Sequence, residues 1–270
     1  MTEKLPAENQ SRPTNPFLAN SSAATPPPAD ARTPRRLAAG RGGAWLSAGW
    51  AMVRASMGNW VGLTVIFSLL MLMGSAVPIL GQIAINILAP VFIGGVMIAC
   101  RSQEKGDGVK IEHLFAGFKE NFGSLAMSGF LYLVGAVVIV VFIAVGIAIF
   151  VGIDAIETID EIDKPSTTMA LGMMLSMMLG LLLLIPLFMA IWFAPALVVF
   201  QQLSAIDALK LSLHGCLRNM APFLIYGVLT LILAIVASIP LGLGWLLLLP
   251  TLFCSTYVAY REIFVEAEGA

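Results

Sequence analysis

Charge is scarce in this sequence: Asp, Glu, Lys and Arg together supply 11% of 270 residues, where soluble domains carry about 25%. With 59% hydrophobic residues and a mean hydropathy of +0.91, a water-soluble enzyme is excluded. Net charge is missing too. Fifteen basic residues against 16 acidic ones leave −1, so no global basic field exists to gather nucleic acid. Cysteine is limited to Cys100, Cys216 and Cys254, odd in number and without a CxxC pair, which excludes a disulfide framework, a zinc site and thiol redox chemistry. Histidine is limited to His113 and His214. An acid/base or metal site can be drawn from His113 with Glu112 and Glu120, or from His214 with Asp207. No HExxH, GxSxG or paired intramembrane aspartates accompany them. The expectation is no enzyme, no cofactor, no metal and no catalytic residue.

What is present is long uncharged runs. Between Arg54 and Arg101 lie 46 uncharged residues, between Glu120 and Asp154 33, between Lys164 and Asp207 42, and between Arg218 and Arg261 42. One crossing needs about 20 apolar residues, so the first and fourth gaps hold two each. Turn signals sit near their middles, Val77-Pro78-Ile79-Leu80-Gly81 and Ile239-Pro240-Leu241-Gly242. The second gap holds one helix. The third contains Pro186 and Pro195, which mark either a turn or a kink in one long helix. With one crossing there, 14 of the 15 basic residues share the N-terminal side, which the positive-inside rule makes cytoplasmic. The reading is an all-α polytopic integral membrane protein of about six transmembrane helices. The spans fall at about 60–79, 82–100, 123–150, 169–200, 220–239 and 243–260 within a membrane domain at 39–264, both termini being cytoplasmic. An outer loop at 151–168 carries five acids and one base, Lys164. It lacks the DxDxDG order of a calcium site, so its charge reads as a topology signal. Residues 1–38, with seven prolines in the first 34, read as a disordered tail without a secretory leader. Its end, Arg32, Arg35 and Arg36 followed by Arg41, serves orientation or attracts anionic lipid.

The two hairpins resemble each other at an offset of 160 residues: Asn59 matches Asn219, Pro90 matches Pro250, and Arg101 matches Arg261. A stretched third copy places Asn121-Phe122 and Phe193-Ala194-Pro195 in the same order, with 74 residues from Asn to Pro against 31 in the others. Each copy is preceded by an amphipathic segment. Leu46, Trp50, Val53 and Met57 form the apolar stripe of the first, and Ile111, Leu114, Phe115, Phe118 and Phe122 that of the second. Ile206, Leu209, Leu213 and Leu217 form the third, where Ser204 and Asp207 begin a capping box. Trp45, Trp50 and Trp60 suit the headgroup boundary. The expected unit is an interfacial helix followed by a hairpin, three times over; the interfacial helices either gather lipid or act as elbows into the bilayer.

Arg36-Leu-Ala-Ala-Gly-Arg-Gly42, His113-Leu-Phe-Ala-Gly-Phe118, Trp192-Phe-Ala-Pro-Ala-Leu-Val198, Ala208-Leu-Lys-Leu-Ser-Leu213 and Leu217-Arg-Asn-Met-Ala-Pro-Phe223 resemble a bacterial multi-spanning transmembrane family of unknown function (BPSS-type), over about residues 36–264. The triple layout is similar, more distantly, to the membrane domain of some glycerophosphodiester phosphodiesterases. The resemblance implies a bacterial cell inner membrane, which makes the acidic outer loop periplasmic, and the six-helix layout; it implies no activity.

The expected spans contain no charge. Gln82 and Asn86, four apart on one helix face, either line a polar cavity or bond between helices. Gly58 and Gly62 form a GxxxG, and Gly94-Gly95 a smooth patch, for dimer contact or for packing within the monomer. Two functions follow: a non-enzymatic membrane organiser or accessory protein whose partners are membrane lipids or other membrane proteins, and a transporter or permease for a lipid or small molecule, with Pro90, Pro195 and Pro250 as hinges.

Overall fold

The computed structural model describes residues 33–157 and 167–265. The expected tail up to residue 32 and the centre of the acidic loop lie outside the described residues. Among those described, regular structure consists of ten α-helices and one 3-10 turn: α1 (Arg41–Ala55), α2 (Met57–Ser75), α3 (Leu80–Glu104), the 3-10 turn (Ile111–Phe115), α4 (Ala116–Lys119), α5 (Phe122–Glu157), α6 (Thr167–Trp192), α7 (Ala194–Gln201), α8 (Ala205–Arg218), α9 (Met220–Ser238) and α10 (Trp245–Phe264).

Both predicted hairpin turns form where proline and glycine interrupt the apolar runs. In the first, Ile79 takes a φ of +60° and the Leu80 N–H bonds the Pro78 carbonyl at 2.6 Å. In the second, Leu241 and Gly242 take φ values of +52° and +81°. The third gap is one span of 35 residues, Thr167–Gln201, broken at Phe193. Pro195 lies in the first turn of α7, where its missing N–H costs nothing. Pro90, Pro186 and Pro250 stand inside helices.

Among the described residues five spans are long and apolar enough to cross a bilayer: Met57–Ser75, Leu80–Glu104, Phe122–Gly152, Thr167–Gln201 and Met220–Ser238. The sixth expected span coincides with α10, which falls below that mark because Ser255, Thr256, Tyr257, Tyr260, Arg261 and Glu262 fill its second half. Helix α5 continues to Glu157, so the start of the expected loop at 151 is helical. Helices α5 and α6 pack through a stripe of small residues. Gly172, Ser176 and Gly180 are the buried residues of α6, and a Cβ on Gly172 would lie 2.0 Å from the Phe150 ring. Such stripes let crossing helices approach closely.

The amphipathic segments fold back onto the helices rather than standing alone. Helix α1 packs on α9 and α10, the 3-10 turn and α4 on α3, and α8 on α6 and α7. Small residues face the bundle: Gly42 and Gly49 in α1, Gly117 in α4, and Ala205, Ala208, Ser212 and Gly215 in α8. The expected apolar stripes split. Leu46, Val53 and Leu114 are buried, while Trp50, Phe115, Phe118, Ile206 and Leu217 remain outward, Ile206 at 54% exposure.

Three expectations are corrected here. Trp45 and Trp60 are fully buried rather than interfacial, because their indole N–H groups find partners inside, Glu262 at 2.9 Å and Gln103 at 2.5 Å. Residues 34–38 are pinned to the helices, with Arg35 N–H bonding the Ile263 carbonyl at 2.9 Å, so the ordered part begins before residue 39. Gly58 and Gly62 would meet nothing with an added Cβ, whereas Gly95 lies against the His113 and Leu114 carbonyls; the close packing within the chain belongs to the second pair of glycines alone.

Candidate functional site: a polar ring and a lateral cleft

Helices α3, α7 and α10 form the centre of the bundle, where Pro90, Pro195 and Pro250 are all buried. Their C-terminal ends are joined in a circle. The Arg261 guanidinium of α10 pairs with Glu104 of α3, and the Tyr257 hydroxyl donates to the same carboxylate at 2.6 Å. Gln201 of α7 donates to the Tyr260 hydroxyl of α10 at 3.4 Å. Arg101 of α3 stands over the Phe200 ring of α7, 5.1 Å from its centroid. The Arg261–Glu104 pair is about one-third exposed, which holds its contribution to about 1 kcal/mol or less. Inward of the ring, Val96, Met97, Cys100, Leu197, Val198 and Cys254 are buried and fill the space between the helices. The Cys100 and Cys254 sulfurs lie 3.8 Å apart, a pairing that a separation of 154 positions conceals in the sequence.

Among the described residues Glu262 is the one charged residue that is buried. Arg41 Nε at 3.0 Å and the Trp45 indole at 2.9 Å satisfy it, so a costly buried carboxylate becomes a latch for α1. The asparagines matched in the sequence are latches as well. Asn59 donates to the Val109 carbonyl at 3.0 Å, just before the 3-10 turn. Asn219 accepts the Leu37 N–H at 2.8 Å and donates to the Arg35 carbonyl at 2.7 Å, just before α1. Asn121 serves differently: at a φ of +59° its carbonyl receives the Leu125 N–H at 3.0 Å and starts α5.

Gln82 is exposed and Asn86 is half-buried. The Asn86 side chain donates at 2.8 Å to the Gln82 carbonyl of its own helix. The two residues are brought together, but at the outer end of α3 and away from the ring. His113 accepts the Lys110 N–H at 3.2 Å through Nδ1; burial, with the Lys110 charge behind it, lowers its pKa below the ordinary imidazole value. His214 is exposed on α8. Among the described residues no three His, Cys, Asp or Glu side chains converge as metal ligands.

Sequence reading missed a cleft of about 550 Å³ between α6 and α9, lined by Tyr132, Phe188, Trp192, Cys216, Tyr226 and Gly227 among others. Its aromatic and aliphatic walls look like any lipid-facing surface in sequence, so no signal could have found it. Burial pushes the Cys216 thiol up to about 12, which keeps it protonated and unreactive. At the α8–α9 junction lies a second hollow of about 510 Å³, lined by Arg36, Leu37, Arg218 and Met220–Pro222 among others.

Over 254 residues the chain is 28% identical to a probable inner membrane protein of Burkholderia thailandensis, covering 84% of this chain and 92% of that one. No solved structure matches it. Neither finding bears on the more distant likeness to the phosphodiesterase membrane domains. The family described as a domain of unknown function, DUF7847, matches residues 39–267, the whole described bundle from just before α1; the chain belongs to this family.

Proposed function

We propose that this protein is a non-enzymatic accessory protein of the bacterial inner membrane. In this reading it crosses six times, has both termini in the cytoplasm, and holds lipids or neighbouring membrane proteins at its cytoplasmic rim. The carrying observation is the three-faced character of the elbows: small residues against the bundle, charged residues toward water, and large apolar residues such as Phe118, Ile206 and Leu217 turned outward. A helix of that kind rests in the interface with its apolar face among acyl chains. The inner-membrane assignment is supported by the relative named above. The sixth crossing is supported by the tight turn that returns α10 beside α9, and the cytoplasmic termini by the positive-inside rule.

The three-unit organisation draws support from the packing. Each elbow lies on the hairpin of the unit before it, with the first elbow closing the circle onto the last hairpin. Gly117 abuts the Val91 carbonyl and Gly49 the Thr251 carbonyl, and Val91 and Thr251 are 160 residues apart, the same offset that relates the two hairpins.

The test is fluorescence quenching by brominated lipid in reconstituted vesicles. Tryptophan placed at Phe118 or Leu217, in a background whose Trp50, Trp192 and Trp245 are replaced by Phe, is quenched; elbows held off the membrane leave it bright. A second reading, a transporter for a lipid or small molecule, is favoured by the cleft, since the axial space is filled. It predicts accelerated transbilayer movement of a fluorescent phospholipid in vesicles holding the protein, and equal rates in protein-free vesicles would remove it.

A further inference from the structure

The inter-unit packing is incomplete at one place. Helix α5 packs along α3, and α2 along α10, so that the first helix of one hairpin lies on the second helix of the hairpin before it. The corresponding pair is α9 with α6. These two meet through Trp192, whose ring centroid lies 6.0 Å from Phe223 and 6.1 Å from Tyr226, and the 550 Å³ cleft opens between them. A transmembrane helix is about 10 Å wide and 30 Å long, about 2,400 Å³. The gap therefore suits a flexible hydrocarbon chain and is too small to enclose a further helix.

A separate polar hollow, formed by neighbouring positions of the chain, specifies the rest of the occupant. The cleft includes Cys216 and Phe223, and the polar hollow takes the residues between them, Leu217, Arg218 and Met220–Pro222, together with Arg36. Among the described residues neither Arg36 nor Arg218 pairs with a carboxylate. Arg36 is held there because the Asn219 side chain bonds both Arg35 and Leu37. Two exposed guanidinium groups beside the start of α9 match a phosphodiester.

We infer that one anionic glycerophospholipid is a resident ligand of this protein, with an acyl chain in the α6–α9 cleft and its phosphate between Arg36 and Arg218. The inference rests on the lipid-contacting, three-unit reading above and names the lipid and its seat.

Gly227 lines the cleft, and a Cβ there would meet nothing within 4 Å, so Gly227→Trp fills the cleft while touching little else. Gly58 is equally open and lies outside the cleft, making Gly58→Trp the matched control. Full-length protein is reconstituted in nanodiscs of equal parts phosphatidylglycerol and phosphatidylcholine, released in the mass spectrometer, and its retained lipid identified. Wild type and Gly58→Trp keep one phosphatidylglycerol; Gly227→Trp lowers its retention about tenfold. The double variant Arg36→Gln/Arg218→Gln, altered only at exposed positions, lowers it about thirtyfold and erases the preference over phosphatidylcholine. Wild type without lipid, equal retention of both lipids, or a second copy of the chain seated in place of lipid overturns the inference. Should brominated lipid still quench the elbow tryptophans in that case, the site alone has failed; loss of both signals removes the underlying reading.

Discussion

Two side chains in elbow segments show how little polar material this chain uses, and for what. Ser212 of α8 receives the Phe193 N–H at 3.0 Å and donates to the Met189 carbonyl at 2.7 Å. It thereby satisfies both backbone groups freed where α6 gives way to α7. Ser212→Ala leaves the buried Phe193 N–H unpaired and the Met189 carbonyl with the Cys216 thiol at 3.5 Å as its remaining partner, and is expected to destabilise the protein by about 1–3 kcal/mol, read as a lower melting midpoint in detergent. His113 carries the pH dependence. Its folded pKa lies below the ordinary value, so the unfolded chain binds the proton more tightly. Its contribution to stability is complete above about pH 6.5 and is lost as the pH falls through the lowered folded value. The Lys110 N–H also loses its Nδ1 acceptor on protonation. Melting midpoints from pH 7.5 to 5.5 should fall more steeply for wild type than for His113→Gln; parallel slopes would contradict this.

At the scale of elements, packing between elbow and hairpin depends on glycines that permit backbone contact. A Cβ on Gly117 would lie 2.1 Å from the Val91 carbonyl oxygen, whereas one on Gly58 meets nothing. Gly117→Ala is therefore expected to cost about 1–3 kcal/mol by forcing the backbones apart, while Gly58→Ala is neutral or stabilising by up to about 1 kcal/mol. Thermal unfolding of the two variants side by side checks both. The elements were largely legible in the sequence because charge gaps mark spans and Pro-Gly pairs mark turns: Pro78-Ile79 and Pro240-Leu241-Gly242 interrupt the helices where expected. Elbow orientation was not. Periodicity locates an apolar stripe, but Ile206 and Leu217 face outward while Ala208 and Ser212 face the bundle, since beside a bilayer large apolar residues need not be buried in protein. Nor could periodicity show that Trp45 would find Glu262, 217 positions away.

For the whole molecule, Asn59 and Asn219, which share a spacing in the sequence, each hold the backbone that enters an elbow. Gln82 and Asn86, polar and four apart on one helix face, are joined within α3 by the Asn86 side chain on the Gln82 carbonyl. Shared spacing marks two backbone latches, polarity marks a contact inside one helix, and the cleft leaves no trace in either. Helix α10 returns to α3 and closes the bundle around a filled axis. The native thiols of Cys100 and Cys254, 3.8 Å apart and buried, test it directly in the Cys216→Ser background. Membranes are treated with iodine, which enters apolar interiors, and the digested protein is analysed by mass spectrometry. A disulfide-linked peptide pair joining Cys100 to Cys254 is expected, with little labelling of either thiol by a membrane-permeant maleimide beforehand. Ready alkylation of both thiols with no linked pair would show that α3 and α10 are apart and that the bundle is open.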